Sequence, residues 1–163
     1  VTKYARSVSL LFSGLFAGFL LGVLVLEFSL RSFDASVYTQ VRLVELDSLD
    51  RLAVGTLVPA VLATAFLVFR VFRTNTRGPA VAALALLIFV FGLTVVVNLP
   101  INADQLAWDV DSPPADWSEV RDRWQVAHAV RTAAAVLAFG LLAVGAVLPG
   151  HTVSSGRGSP AAG

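Results

Sequence analysis

Cysteine and methionine are both absent from the 163 residues, histidine occurs only twice, and charged side chains make up 14% of the chain. Without cysteine there is no disulfide, no thiolate metal site and no thiol-based quinone chemistry. A glycine-rich phosphate loop, a zinc-ligand spacing and a serine elbow are missing as well. The basic residues are too few and too dispersed to follow a nucleic acid backbone. With methionine missing even from position 1, Val1 is either a translated alternative start or a trimmed terminus.

What the chain does have is apolar length. Hydrophobic residues reach 56%, and the mean hydropathy of +0.78 lies far outside the soluble range. Uncharged runs cover Val8 to Leu26, Leu52 to Phe69, Gly78 to Ala103 and Thr132 to Gly150. Each approaches or exceeds the roughly 18 to 20 residues that cross about 30 Å of hydrocarbon. The expected architecture is therefore all-α, a four-helix transmembrane bundle over residues 1–150 with a flexible Gly/Ser/Pro/Ala tail over 151–163. The first run is longer than a signal peptide core and has no clear small-x-small site before Glu27, so it reads as a retained helix.

Charge distribution gives the expected orientation. Lys3 and Arg6 precede the first run, and Arg70, Arg73 and Arg77 lie between the second and third with no acid beside them. The other two loops are rich in acids, with Asp104, Asp109, Asp111, Asp116, Glu119 and Asp122 in the later one. Basic short loops stay inside, which predicts a multi-pass protein of the cell membrane with both termini cytoplasmic.

Local signals refine the spans. Gly14, Gly18 and Gly22 recur every four residues, a small-residue face on which another helix can pack closely. Between Arg31 and Arg51, Val37, Val41, Val44 and Ser48 repeat near the helical period, with Asp34 or Ser36 as N-cap, so an outer helix lies there or extends helix 2. Pro59, aided by Gly55, predicts a kink near residues 55–59 that widens an outer cavity. Asn75 to Pro79 forms a tight turn making helices 2 and 3 antiparallel neighbours. Helix 3 is expected to stop at Asn98-Leu99-Pro100-Ile101-Asn102, and helix 4 to start outside the membrane with Asp116 or Ser118 as cap.

Counting about 20 residues per span brings Glu27, Asn98 and the stretch His128 to Arg131 to one depth. Trp117, Arg121, Trp124, His128, Arg131 and Ala135 share one helical face. A charge at membrane depth costs on the order of 2.5 to 3.5 kcal/mol, so Glu27 and Arg131 are expected to face the interior or snorkel outward. Arg131 is either an anchor paired with Glu27 or the Asn98 carbonyl, or a ligand-binding group. Asn98 and Asn102 are either helix caps or hydrogen-bond donors to a ligand. His128 is a hydrogen-bonded interface residue, a general base or a metal ligand. Trp108, Trp117 and Trp124 form an interface belt, wall an apolar pocket, or do both.

The run Asn98-Leu-Pro-Ile-Asn102, then Pro-Pro-Ala-Asp-Trp117, then Arg123-Trp124-x-x-x-His128-x-x-Arg131-Thr132 resembles the anthrone oxygenase-like family of membrane proteins. The resemblance extends over most of the chain and is specific over residues 98–132. It implies a four-helix membrane fold and oxygenation of an aromatic anthrone to an anthraquinone without an evident prosthetic group. On that reading His128 or Glu27 removes a C–H proton, while Arg131, Asn98 and Asn102 hold the developing oxyanion. Trp124, Trp117, Trp108 and Arg121 would line the substrate. The expected partners are the bilayer and an apolar small molecule entering from the outer leaflet. Self-association is an open option, no cofactor is expected, and the residue set leaves a metal undecided. The competing readings are a noncatalytic membrane subunit that binds a lipid or protein, and a proton-coupled exporter suggested by Glu27.

Overall fold

The computed structural model describes residues 1–74 and 77–147. Five α-helices occur among them: α1 (Thr2–Ser29), α2 (Ala35–Val71), α3 (Arg77–Leu93), α4 (Leu99–Gln105) and α5 (Trp117–Val147). A single wide π turn, Thr94–Asn98, joins α3 to α4, so the two read as one bent rod. Four rods result, each long and apolar enough to cross a membrane. The tail over 151–163, Asn75 and Thr76 of the expected turn lie outside the described residues.

The four rods close into a ring in the order α1, α2, α3, α5, with α1 and α5 side by side. The centre is filled by small residues, Ala17, Ala60, Ala83, Ala134, Ala135 and Ala138, interleaved with Phe16, Leu20, Leu57 and Leu87, all buried. Alanine at the crossings lets backbones approach closely, which is how helices hold together where lipid is as apolar as the core. Large apolar side chains such as Leu15, Leu62, Phe69, Ile88 and Leu137 face outward instead. In water such an exterior would not persist; at bilayer depth it is the expected one.

Two expected extensions are present. α2 begins well before its apolar run, with the Asp34 carboxylate accepting from the Val37 N–H at 2.9 Å, and α5 begins at Trp117, far ahead of Thr132. The α2 extension buries the stripe beside the valine repeat. Val37 and Val44 are exposed, whereas Tyr38, Thr39, Arg42, Glu45 and Leu46 are buried. The valine stripe was the periodic signal, yet the polar stripe beside it is the one that turns inward, as membrane helices direct their ionisable groups.

Helix 3 does not stop at Asn98 to Asn102. The Leu99 N–H reaches back to the Thr94 carbonyl, a five-residue step whose extra residue relieves the clash that the Pro100 ring would otherwise make four residues earlier. Helix then resumes to Gln105. The glycine face is also only partly used. A side chain at Gly14 would meet the Phe139 ring at 3.0 Å, while positions 18 and 22 face open space.

Candidate functional site

Arg42 is the hub of the polar end of the bundle. It is 3% exposed and every nitrogen of its fork is engaged. Nε donates to Gln105 Oε1 at 2.8 Å, one terminal nitrogen to Glu45 Oε2 at 2.7 Å and the other to Asn102 Oδ1 at 2.7 Å. Glu27 Oε1 stands 3.5 Å from the same nitrogen that binds Glu45. The guanidinium also lies over the Trp124 ring, 3.9 Å from its centroid. A buried guanidinium needs this many acceptors, because each unsatisfied donor at such depth costs about 1–3 kcal/mol or more.

The network extends to every rod. Trp124 Nε1 donates to Asn102 Oδ1 at 2.7 Å. The Gln125 amide donates to both the Glu27 carbonyl and Glu27 Oε2 at 2.9 Å, and Gln105 donates to the Tyr38 hydroxyl at 3.3 Å. Asn98, Asn102 and Gln105 are thus buried, Asn102 within α4 and Gln105 at its last residue, and neither asparagine side chain caps an end. Asn98 has both side-chain polar atoms buried with no partner among the described residues.

Arg131 belongs to a second group. Its Nε and a terminal nitrogen lie 3.0 and 2.7 Å from His128 Nδ1, and its other terminal nitrogen donates to the Thr94 hydroxyl at 3.3 Å. His128 Nε2 is 3.0 Å from the Leu20 carbonyl. Nε2 therefore carries the hydrogen and Nδ1 accepts, so the ring bridges α1 to Arg131 with both nitrogens occupied. The imidazole is fully buried and stacks on Trp124 at 4.7 Å and 9°. The expected pairing of Arg131 with Glu27 or the Asn98 carbonyl is not what forms: Glu27 goes to Arg42 and Gln125. Among the described residues Arg131 has no carboxylate within 4.0 Å.

Arg131 is aimed at a cavity of about 190 Å³. Phe16, Phe19 and Val23 of α1 make its far wall, and Arg42, Glu45, Asp50, Thr94, Asn102, Trp124 and Arg131 supply its polar side. Of the residues singled out in the sequence, Asn102, Trp124 and Arg131 line it, whereas Glu27, Asn98 and His128 sit behind them. Trp108 and Trp117 are elsewhere, packed on Tyr38 at 6.4 and 5.5 Å, with Arg121 over Trp117 at 4.8 Å. This aromatic knot fixes the loop before α5, helped by a hydrogen bond from Ser36 Oγ to the Val110 carbonyl and by the exposed Arg31–Asp122 pair at 2.9 Å. Trp124 is not a belt residue, being 2% exposed inside the bundle.

Arg42, Glu45, Gln105, Gln125, Thr94 and Asp50 were missed from the sequence. Tyr38, Arg42, Glu45 and Leu49 follow intervals of four, three and four, which is a helical face. That signal was available but carried by charges counted as loop residues. No such periodicity announces Gln125 or Thr94. Among the described residues no three histidine, aspartate or glutamate side chains are grouped as a metal site requires.

A ring of membrane-length helices with an internal cavity, mainly apolar on its walls and presenting at one end a guanidinium that has no carboxylate within 4.0 Å among the described residues, defines a helical membrane-bundle protein. Residues 49–141, more than half of the chain, match the anthrone oxygenase family, and the chain belongs to it. No curated protein and no solved structure matches the chain.

Proposed function

We propose that this protein is a membrane-embedded oxygenase that converts an activated C–H position of an apolar keto or phenolic aromatic to a carbonyl. The observation that carries this reading is Arg131, buried, held by His128 and Thr94, and presented to a mainly apolar cavity with no carboxylate within 4.0 Å of it among the described residues. A guanidinium so placed favours a ligand that brings or develops negative charge on oxygen. Asn102 and Trp124 are committed to the Arg42 network and form a rigid wall beside it.

The proton of the C–H acid goes to Asp50. Asp50 lines the cavity, and no ion pair within 4.0 Å ties it down among the described residues, whereas Glu45 is bound to Arg42. His128 is the positioning residue that aims Arg131, and Glu27 steadies Arg42. With the enolate oxygen on Arg131, the carbanion adds to dioxygen and forms a C–O bond. The peroxide takes up a proton, and loss of water with the second C–H proton leaves the carbonyl. One methylene and one dioxygen become one carbonyl and one water, and no prosthetic group is invoked.

Oxygen uptake by the purified chain in lipid nanodiscs with a dihydroxyanthrone tests this. Arg131→Gln is expected to lower turnover at least about a hundredfold, the scale of losing one oxyanion donor, with helicity and melting retained. Turnover left unchanged by Arg131→Gln would remove the site. An absence of uptake in the wild type, together with tight binding of the aromatic, would make the chain the noncatalytic ligand-binding subunit instead.

A further inference from the structure

The cavity is not enclosed. Val54 and Val58 of α2 and Phe91, Val95 and Leu99 at the α3–α4 rod line it, yet each is 40 to 61% exposed on the outer face of the bundle. A residue can do both only at a rim, so the cavity opens sideways between α2 and the third rod. These five rim residues are apolar and belong to the uncharged runs over 52–69 and 78–103, while Asp50, exposed and also lining the cavity, marks its polar end, so the opening between α2 and the third rod faces acyl chains. Its inner edge is next to the charge: Val95 adjoins Thr94, whose hydroxyl accepts from Arg131 at 3.3 Å.

Size decides what goes in. A closed cavity of about 150 Å³ takes up benzene, and typical sites for whole small molecules run from about 300 to 1,000 Å³. At about 190 Å³ this one accommodates the oxygen-bearing ring end of a ligand, with its polar atom on Arg131 and its ring against Phe16 and Phe19. The remainder must leave through the opening. Outside there is hydrocarbon, which selects an apolar remainder and rejects a polar one.

We propose that the cavity is a lateral, lipid-open site for a tailed aromatic, holding the oxygenated ring inside while an apolar tail lies out between α2 and the third rod among the acyl chains. The inference rests on the cavity being the ligand site of the preceding section, but not on turnover there. Because the tail passes from lipid to lipid, it adds little affinity, and the site's signature is tolerance of the tail.

Equilibrium binding of radiolabelled hydroxynaphthoquinone, with and without a decyl chain, to the protein in nanodiscs of one lipid composition tests the proposal. The wild type is expected to bind both with Kd values within about threefold. Val54→Trp combined with Val95→Trp narrows the opening at lipid-facing positions. It should weaken the decyl compound at least about tenfold more than the tail-less one, and retained tail-less binding shows that the bundle is intact. Rejection of the decyl compound by the wild type, or equal effects of the tryptophans on both compounds, would overturn the proposal. Tail selectivity without oxygen uptake would leave this site standing and remove the oxygenase reading.

Discussion

The two halves of the bundle are held together by different forces. Away from the polar end, alanines and leucines pack at helix crossings, and buried polar groups are few, uncharged hydroxyls: Ser9 donates to the Ala5 carbonyl at 2.8 Å, and Ser13 and Thr64 are buried without a partner among the described residues. At the polar end Arg42, Glu27, Glu45, Asn102, Gln105, Gln125, His128 and Arg131 are buried together. The first half tolerates any residue of suitable volume. The second depends on partners, because a charge stranded by its neighbour's loss has no water to turn to.

Arg42→Gln is accordingly expected to have the largest effect. It leaves Glu27 and Glu45 as buried carboxylates without their cation, and breaking a buried pair costs about 3–5 kcal/mol. Unfolding in detergent should show the loss, and adding Glu27→Gln and Glu45→Gln should recover most of it. If Arg42→Gln alone melts like the wild type, the contrast between the halves is wrong.

His128→Phe sharpens the comparison by separating support from chemistry within the polar end. Phenylalanine keeps the stack on Trp124 but strands the Leu20 carbonyl and frees Arg131. Leaving one buried partner unsatisfied costs about 1–3 kcal/mol. Turnover should fall by on the order of a hundredfold, as a shift of about 1 Å in an aligned group can cost that much. Were His128 the proton acceptor, the loss would appear as a vanished acidic limb in the pH profile; as a positioning residue it lowers the whole profile without changing its shape.

The four spans were legible in the sequence because hydrocarbon imposes length and apolarity on every crossing segment, as Leu52 to Phe69 shows. The polar end was legible only in part. Asn102 was found because a polar group stands out inside the apolar run 78–103, and Trp124 and Arg131 because they share one helical face that leads into the run 132–150. Arg42 and Glu45 were not, because they lie among other charges where a buried ion looks like a loop ion. Pro100 misled for a related reason: its usual effect is to end a helix, and the wide turn at Thr94–Asn98 that absorbs it leaves no mark in composition. Pairings such as Arg131 with His128 depend on distances between rods, which no spacing within one rod supplies.

The smallest effect is expected in the half held by packing, at its glycines. A methyl at position 14 would press on Phe139, but that ring is 37% exposed and free to turn outward, so Gly14→Ala should cost under about 1 kcal/mol. Gly18 and Gly22 face open space on the outside of α1. Gly18→Leu and Gly22→Leu are therefore expected to shift stability by no more than about 0.5 kcal/mol, as for surface sites without partners. The oligomeric state in detergent supplies the sharper readout. If these leucines leave it unchanged, the outward glycines meet only lipid. If they dissociate a complex while the isolated bundle melts as before, the smooth face is where another helix lies, and the packing half extends beyond a single chain.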